Sequence, residues 1–180
     1  MLKKTKKALE LIAHDQFFAD YDVRFVGGTA LSYMMQHRLS EDLDFATLKL
    51  PKDEIIKMML KYGATKKEHS TFVIDSAAND GFDIDDCHVM FELNGVKVDF
   101  FEPPFNTKEK AVWTEVPYTH YKDTNIKLAA FDTIMYMMFH ERVNDEGLNT
   151  LVDKPKAYEW YRNKIEAMLD DVYMRELYHS

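Results

Sequence analysis

The residues that most constrain the fold of this 180-residue chain are Gly27 and Gly28. They follow residues 23–26, a mostly apolar segment that predicts a short buried strand, and they precede residues 29–36, which predict a helix. Glycine lets backbone N–H groups approach an anion closely, and the N-terminus of a helix favours negative charge. The sequence therefore predicts a strand–turn–helix joint whose turn is suited to a phosphate group.

A pair of aspartates lies in the next predicted strand, residues 42–46. Side chains alternate between the two faces of a strand, so Asp42 and Asp44 are expected to share one face while Leu43 and Phe45 point inward. Two like charges side by side repel, and folding does not favour this arrangement unless a cation lies between them. A site made only of oxygen ligands favours Mg²⁺ or Mn²⁺. A phosphate-binding turn beside such a metal site is the combination that nucleotide transfer requires.

At these residues the chain resembles the nucleotidyltransferase superfamily, whose signature is Gly-Gly or Gly-Ser, a short helix and Asp-x-Asp. More narrowly, it resembles the AbiEii/AbiGii abortive-infection type of nucleotidyltransferase in residues 27–31 (GGTAL) and 37–45 (HRLSEDLDF). Many members of that family are toxins of bacterial toxin–antitoxin pairs. The fold expected is α/β (α+β), a mixed and twisted sheet of about four or five strands flanked by helices, with a helical C-terminal part.

The superfamily also uses a third carboxylate on a neighbouring strand. Here residues 89–93 and 96–101 are apolar runs joined by Asn94 and Gly95. Asn-Gly is the strongest short hairpin signal, because both residues accept the positive φ of a type I′ turn. Asp99 lies in the second run, where a charged residue is rarely left unpaired. We expect Asp99 to be the third metal ligand and to take or orient the proton of an attacking hydroxyl.

Four further residues are expected to contact the nucleotide. Thr29 starts the helix after the glycines, where its hydroxyl can cap the helix or contact a phosphate oxygen. Arg38 and Ser40 precede the aspartates, and the planar donors of Arg38 suit either a phosphate or a neighbouring acidic side chain. The resembling family places a lysine at a helix start, where it reaches the triphosphate, and Lys127 begins a predicted helix over residues 126–142.

The chain departs from the family pattern in its last part. A segment of the type Arg-x-x-x-Lys-Asp-x-x-Asp should follow, and only residues 152–160 (VDKPKAYEW) lie in the right place. Ala157 stands at what resembles the Asp position, and Trp160 replaces the next acidic residue. Altered or lost activity is therefore left open, and the acceptor cannot be read from this segment.

Length and composition predict one domain, or one compact domain with a small helical appendage, since 46% of the residues are hydrophobic. The best boundary is the Pro103-Pro104 pair, which gives a nucleotidyltransferase core over residues 1–104 and a helical C-terminal region over residues 105–180. No run approaches the length of a membrane span, the basic start lacks the apolar core of a secretion signal, and Cys87 is the only cysteine. A cytoplasmic protein without membrane contact is expected.

The activity that the resemblance implies is transfer of a nucleoside monophosphate from an NTP to a hydroxyl, with Mg²⁺ or Mn²⁺ as cofactor. The implied acceptors are tRNA or protein, and the implied partner is an antitoxin. A formal net charge of −8 argues against a broad grip on nucleic acid and mildly favours a cationic antibiotic as acceptor, although it equally suits a basic antitoxin. A second alternative is a module that binds nucleotide or a partner without chemistry.

The middle of the chain carries weaker signals. Residues 71–74 predict a strand, and the acidic residues 75–86 predict a solvated connector without regular Ca²⁺-loop spacing. Cys87 and His88, adjacent along a predicted strand, would face opposite ways, so neither a metal ligand pair nor a nucleophile is expected there. Helical spacing of apolar residues also predicts helices over residues 2–14, 51–62 and 156–178.

Overall fold

A computed structural model of the chain describes residues 1–35 and 40–130, together with residues 133, 134 and 137. The described helices are α1 (Lys3–Ile12), α2 (Phe17–Asp20), α3 (Gly27–Met35), α4 (Lys52–Lys61), α5 (Thr71–Asn79), α6 (Ile84–Cys87) and α7 (Thr107–Glu115). The described strands are β1 (Arg24–Val26), β2 (Leu43–Ala46), β3 (Thr65–Lys67), β4 (His88–Leu93), β5 (Val96–Phe101), β6 (Thr119–His120) and β7 (Lys127–Leu128). None of these helices is both long and apolar enough to cross a membrane.

All seven strands of the described chain belong to one mixed sheet, in the order β3-β4-β5-β2-β1-β7-β6. Strand β2 is parallel to β5, and β1 is parallel to β7, whereas the other neighbouring strands are antiparallel. The predicted α/β class with a mixed sheet is confirmed. The sheet is wider than the four or five strands expected, because the short strands β3, β6 and β7 extend both of its edges.

The chain divides into two compact units. The first comprises Met1–Pro103 and Tyr118–Ala129 and contains the whole sheet. The second comprises Pro104–Pro117 and Ala130–Ser180. The first change of unit falls at the Pro103-Pro104 pair, and strands β6 and β7, which follow that pair in the sequence, belong to the first unit.

Strands β4 and β5 form the hairpin that the sequence predicts. The turn residues Asn94 and Gly95 have φ values of 53° and 72°, the left-handed conformation that a type I′ turn requires at both positions. This turn fixes the register, which places Asp99 opposite Met90. The position of Asp99 in the sheet is therefore set by a local signal four residues earlier in the chain.

One face of the sheet carries a row of packed aromatic rings. The ring centroids of Phe45 and Phe100 are 4.9 Å apart and the rings are stacked, and Phe25 lies 5.5 Å from Phe45. Helix α2 adds Phe18, whose ring centroid is 5.3 Å from that of Phe45. Burying each ring contributes about 1.5–3 kcal/mol. Because side chains alternate along a strand, the residues next to these phenylalanines face the opposite side of the sheet, where the polar site lies.

The strand predicted for residues 71–74 is wrong, because this segment forms helix α5. The side chain of Ser70 accepts a hydrogen bond from the backbone N–H of Val73 and so caps the helix N-terminus. Phe72 is 79% exposed, so the apolar run does not mark a buried strand. Helices α5 and α6 also occupy much of the predicted connector.

The helix predicted over residues 126–142 does not begin at Lys127. Lys127 and Leu128 form strand β7, which pairs with Arg24 and Phe25 of β1. Residues 133, 134 and 137 are helical, so the helical part that the structure describes follows the strand. Strand β7 supplies hydrogen-bond partners for the backbone of β1 on the side that β2 does not cover. This long-range pairing outweighs the helical spacing of the apolar residues.

Candidate active site

Asp44 lies near the middle of the sheet, on β2 between β1 and β5. The strand register pairs it with Val26 on one side and with Asp99 on the other. Neighbouring strands lie about 4.8 Å apart, so these two residues in direct register carry their carboxylates side by side on one face. Asp42 immediately precedes β2 by one residue and is exposed. The structure thus brings together the half-buried Asp44 and the buried Asp99 of the predicted acidic set, and Asp42 lies two residues before Asp44 in the chain.

The electrostatics of this arrangement are unfavourable without a counter-charge. Burial, followed by the negative charges of Asp99 and Asp42, raises the pKa of Asp44 to about 6. Lys97 and His88 act in the opposite direction but do not cancel these effects. Carboxyl groups whose pKa is raised by burial and by like charges are typical of sites that bind or transfer charge.

Asp99 has two basic neighbours and one unsatisfied oxygen. Lys97 Nζ lies 2.6 Å from Asp99 Oδ2, and His88 Nε2 lies 3.8 Å from the same oxygen, close enough for an ion pair but too far for a hydrogen bond. Burial acts to raise the pKa of Asp99, but these two neighbours outweigh it and the pKa is lowered. Among the described residues, buried Asp99 Oδ1 has no hydrogen-bond partner. A buried carboxylate oxygen without a partner is a group that a bound ion could satisfy.

Gly27 brings the backbone of the β1–α3 joint directly onto Asp44. Its φ is +71°, and a Cβ atom at this position would lie 2.9 Å from the Cβ and Cγ atoms of Asp44 and closer still to Oδ2. Only glycine meets both the conformational and the steric requirement. The first N–H groups of α3, which have no partner within the helix, therefore start beside the carboxylate.

The predicted nucleotide contacts Thr29 and Ser40 lie next to each other. The buried Thr29 hydroxyl donates a hydrogen bond of 2.7 Å to Ser40 Oγ, which ties helix α3 to the segment before Asp42. Arg38 falls outside the described residues, and so do Ala157 and Trp160. Their predicted roles stay predictions.

Lys127 makes contacts that differ from the predicted contact with a triphosphate. Its Nζ is buried and donates hydrogen bonds to the carbonyl oxygens of Phe18 at 2.6 Å and Tyr21 at 2.5 Å. Burial lowers the pKa of Lys127. A lysine that satisfies the carbonyl groups at the end of α2 is a structural element, and its contacts give no support to a role at the nucleotide.

Helix α1 holds the aspartate segment in place, a role that the sequence pattern does not indicate. The N–H of Leu2 donates to the carbonyl of Ser40 at 3.1 Å, and Thr5 Oγ1 donates to the carbonyl of Glu41 at 2.8 Å. Lys4 Nζ adds an ion pair of 3.0 Å to the side chain of Glu41. Thr5 is fully buried in an otherwise apolar helix face, and that misplaced hydroxyl is the one sequence signal for this contact.

Lys97 and His88 also belong to the site and were not predicted. Lys97 precedes Asp99 by two residues on β5, so both share one face of the strand. His88 pairs in register with Phe101, which follows Asp99 by two residues on that same face. Both positions follow from the hairpin register once the Asn-Gly turn is recognised.

These residues fit a divalent cation that binds together with a nucleotide. In the described part of the chain, no group of three or more His, Cys, Asp or Glu side chains is placed to hold a metal ion. The available donors are nevertheless carboxylate oxygens, including the unpartnered Asp99 Oδ1. Mg²⁺ is usually bound by one or two carboxylates plus substrate phosphates rather than by a cage made only of protein.

Solved structures place this architecture in a known class. The chain is similar to the solution structure of the antibiotic-resistance factor ANT(2'')-Ia, with 11% identity, a TM-score of 0.52 and coverage of 98% of this chain and 95% of that chain. It is also similar to the crystal structure of ANT(2'')-Ia in complex with adenylyl-2''-tobramycin, with 10% identity, a TM-score of 0.51 and coverage of 96% and 95%. The fold is that of a nucleotidyltransferase.

The family follows from the sequence itself. The family described as nucleotidyl transferase AbiEii toxin, type IV toxin–antitoxin system, matches residues 10–135. This span covers more than half of the chain, which therefore belongs to the AbiEii family, and the resemblance predicted from the two motifs is confirmed. No curated protein sequence matches the chain.

Proposed function

We propose that this chain transfers a nucleoside monophosphate from an NTP to an acceptor hydroxyl and that the reaction depends on Mg²⁺ or Mn²⁺. The observation that carries the proposal is the register that sets Asp44 against Asp99 on one side and against the Gly27 turn on the other. It joins an acidic pair, which needs a cation, to backbone donors suited to phosphate. Membership of the AbiEii family supports nucleotidyl transfer as the reaction.

In the proposed reaction the residues act mainly by positioning. The backbone at Gly27 and Gly28 and the start of α3 bind the β and γ phosphates. One or two carboxylates of the set Asp42, Asp44 and Asp99 would hold the cation together with phosphate oxygens. The cation, when bound, neutralises charge on the triphosphate. Asp99 orients the acceptor hydroxyl and accepts its proton; the hydroxyl oxygen then attacks the α-phosphorus in line, and the bond to the leaving pyrophosphate breaks.

For the biological role we propose a toxin that arrests growth by modifying a tRNA or protein hydroxyl and that is held in check by an antitoxin. The support is the description of the family as type IV toxins. The second candidate is transfer to a small cationic antibiotic. It is favoured by the formal net charge of −8 and by the fold shared with ANT(2'')-Ia, whose crystal structure contains adenylyl-2''-tobramycin.

The reaction is tested by incubating the purified chain with each of the four labelled NTPs and with total tRNA, whole-cell protein or an aminoglycoside. We expect label transfer and pyrophosphate release that require Mg²⁺ or Mn²⁺. Asp42→Ala should reduce both on the order of 10²-fold or more with folding nearly intact, by analogy with the loss of one electrostatic stabiliser. Asp53→Ala, which removes an acidic residue from the first turn of α4, is the matched control and should keep full activity.

Two results would contradict the proposal. Full transfer activity in Asp42→Ala would contradict the assignment of the acidic set to the site. The absence of pyrophosphate release with every acceptor would favour a binding module. Growth on induction separates the two candidate roles: arrest that disappears in Asp44→Ala supports the toxin, whereas unimpaired growth with drug resistance supports the antibiotic-modifying enzyme.

A further inference from the structure

Lys97 places a positive charge inside the acidic set. Its Nζ lies 2.6 Å from Asp99 Oδ2, and its charge also acts on Asp42 and Asp44. The described site therefore already contains one cation, a lysine ammonium, at the carboxylates where the proposed function places Mg²⁺.

The orientation of Lys97 toward Asp99 is selective. Across the hairpin, Lys97 stands directly opposite Glu92, a carboxylate that would be its simplest ion-pair partner. Glu92 instead pairs with Lys67 of β3 at 3.0 Å, and Lys97 makes its ion pair with Asp99. The ladder of paired charges on β3, β4 and β5 thus leaves the ammonium of Lys97 directed into the acidic set.

The two partners also differ in their exposure to solvent. The side chain of Lys97 is 52% exposed, whereas that of Asp99 is 10% exposed. A long, half-exposed lysine can swing into water at little cost, because its ammonium remains hydrated. The carboxylate cannot leave. The pair is therefore suited to exchange of its cation.

We propose that Lys97 is a tethered counter-cation that partly neutralises the acidic set in the nucleotide-free protein and gives way when a divalent cation arrives with the triphosphate. This inference rests on the proposed function. It is compatible with the finding that no group of three or more His, Cys, Asp or Glu side chains in the described residues is placed to hold a metal. With the ammonium in place, a lone divalent cation meets a site of reduced negative charge, whereas the metal–nucleotide complex adds phosphate oxygens as ligands.

The test is Mn²⁺ binding without nucleotide, measured by titration calorimetry and by electron paramagnetic resonance of the free ion. Lys97→Met and Lys97→Gln keep most of the length of the side chain and remove its charge, and each should bind Mn²⁺ on the order of tenfold more tightly than the natural chain. Lys97→Arg should retain the natural affinity. Lys67→Met is the matched control, because it removes a lysine from an ion pair on the neighbouring strand, and it should leave Mn²⁺ affinity unchanged.

A second readout is thermal unfolding. In EDTA both uncharged variants should unfold at a lower temperature than the natural chain. Adding Mn²⁺ should raise the unfolding temperature of each variant by more than it raises that of the natural chain. Mn²⁺ affinities that are unchanged or weaker in both variants would overturn the role of Lys97 and leave the proposed function standing. Absence of Mn²⁺ binding in every protein, even with a non-hydrolysable NTP analogue, would contradict the proposed function and the inference with it.

Discussion

Gly27 meets two requirements at one position, a positive φ and the absence of a Cβ atom beside Asp44. A substitution here and a control at Gly63 separate their effects. Gly27→Ala adds a Cβ atom at φ +71° and within 2.9 Å of Asp44, so it both strains the backbone and displaces the carboxylate. We expect a loss of about 1–2 kcal/mol in unfolding free energy from the backbone strain. Nucleotide transfer should fall on the order of 10²-fold, because a small misplacement of a catalytic group is that costly.

The control for this prediction is Gly63→Ala. Gly63 has φ +78°, but an added Cβ atom would meet nothing within 4 Å. The control therefore carries the strain without the displacement, and urea unfolding should show a similar loss of stability with normal transfer. An equal loss of activity in both variants would contradict the role of the Gly27–Asp44 contact.

The raised pKa of Asp44 predicts how stability depends on pH. The folded-state value is about 6, above the ordinary value of 3.8, so between these values the folded protein binds more protons than the unfolded chain. Stability must therefore fall as pH rises through this window. In EDTA, Asp44→Asn should be more stable than the natural chain by about 1–3 kcal/mol above pH 6, and the difference should vanish below pH 4. Urea unfolding over this range checks it, and a difference independent of pH would contradict it.

Among the helices and strands, those set by interactions between neighbouring residues were predicted correctly. The strand–Gly-Gly–helix joint and the Asn94-Gly95 hairpin were predicted from a few neighbouring residues, because positive φ values and close backbone approach select glycine and asparagine. Helix α5 was missed because its apolar residues favoured a strand, whereas the cap at Ser70 favours a helix.

A substitution in helix α1 should affect the candidate site, although the helix contributes no acidic group to it. Thr5→Val keeps the shape of a fully buried side chain and removes its hydrogen bond to the carbonyl of Glu41. We expect a loss of about 1 kcal/mol in unfolding free energy, accompanied by lower nucleotide transfer because the segment carrying Asp42 loses a restraint. Lys6→Met, which removes only an exposed ion pair with Glu10, should change stability by less than about 0.5 kcal/mol. Normal activity in Thr5→Val would show that α1 does not position the segment.

For the molecule as a whole, the long-range contacts are the part that the sequence could not reveal. Lys127 was expected at a nucleotide, yet it bonds to carbonyl groups of residues more than a hundred positions earlier. Such a contact leaves no periodic or motif signature. Lys97 and His88 differ from Lys127, because both follow from the Asn94-Gly95 hairpin, as does Asp99, whereas Asp42 and Asp44 could be proposed from a motif.

Lys127→Met distinguishes the two roles considered for this residue. The variant leaves the carbonyl oxygens of Phe18 and Tyr21 without their donor, and we expect a loss of about 1–3 kcal/mol in unfolding free energy. The KM for the NTP should stay unchanged in the folded variant. Unchanged stability with a raised KM would instead favour the predicted contact with the triphosphate.

The stacked rings of Phe45 and Phe100, 4.9 Å apart and 13° from parallel, lie one residue along from Asp44 and Asp99 on the same two strands. The spacing between the two aspartates is therefore fixed by a stacked pair of aromatic rings on the opposite face of the sheet. A shift of β2 along β5 would have to separate these two rings first. The alignment of the acidic pair is therefore maintained by the packed core behind the sheet.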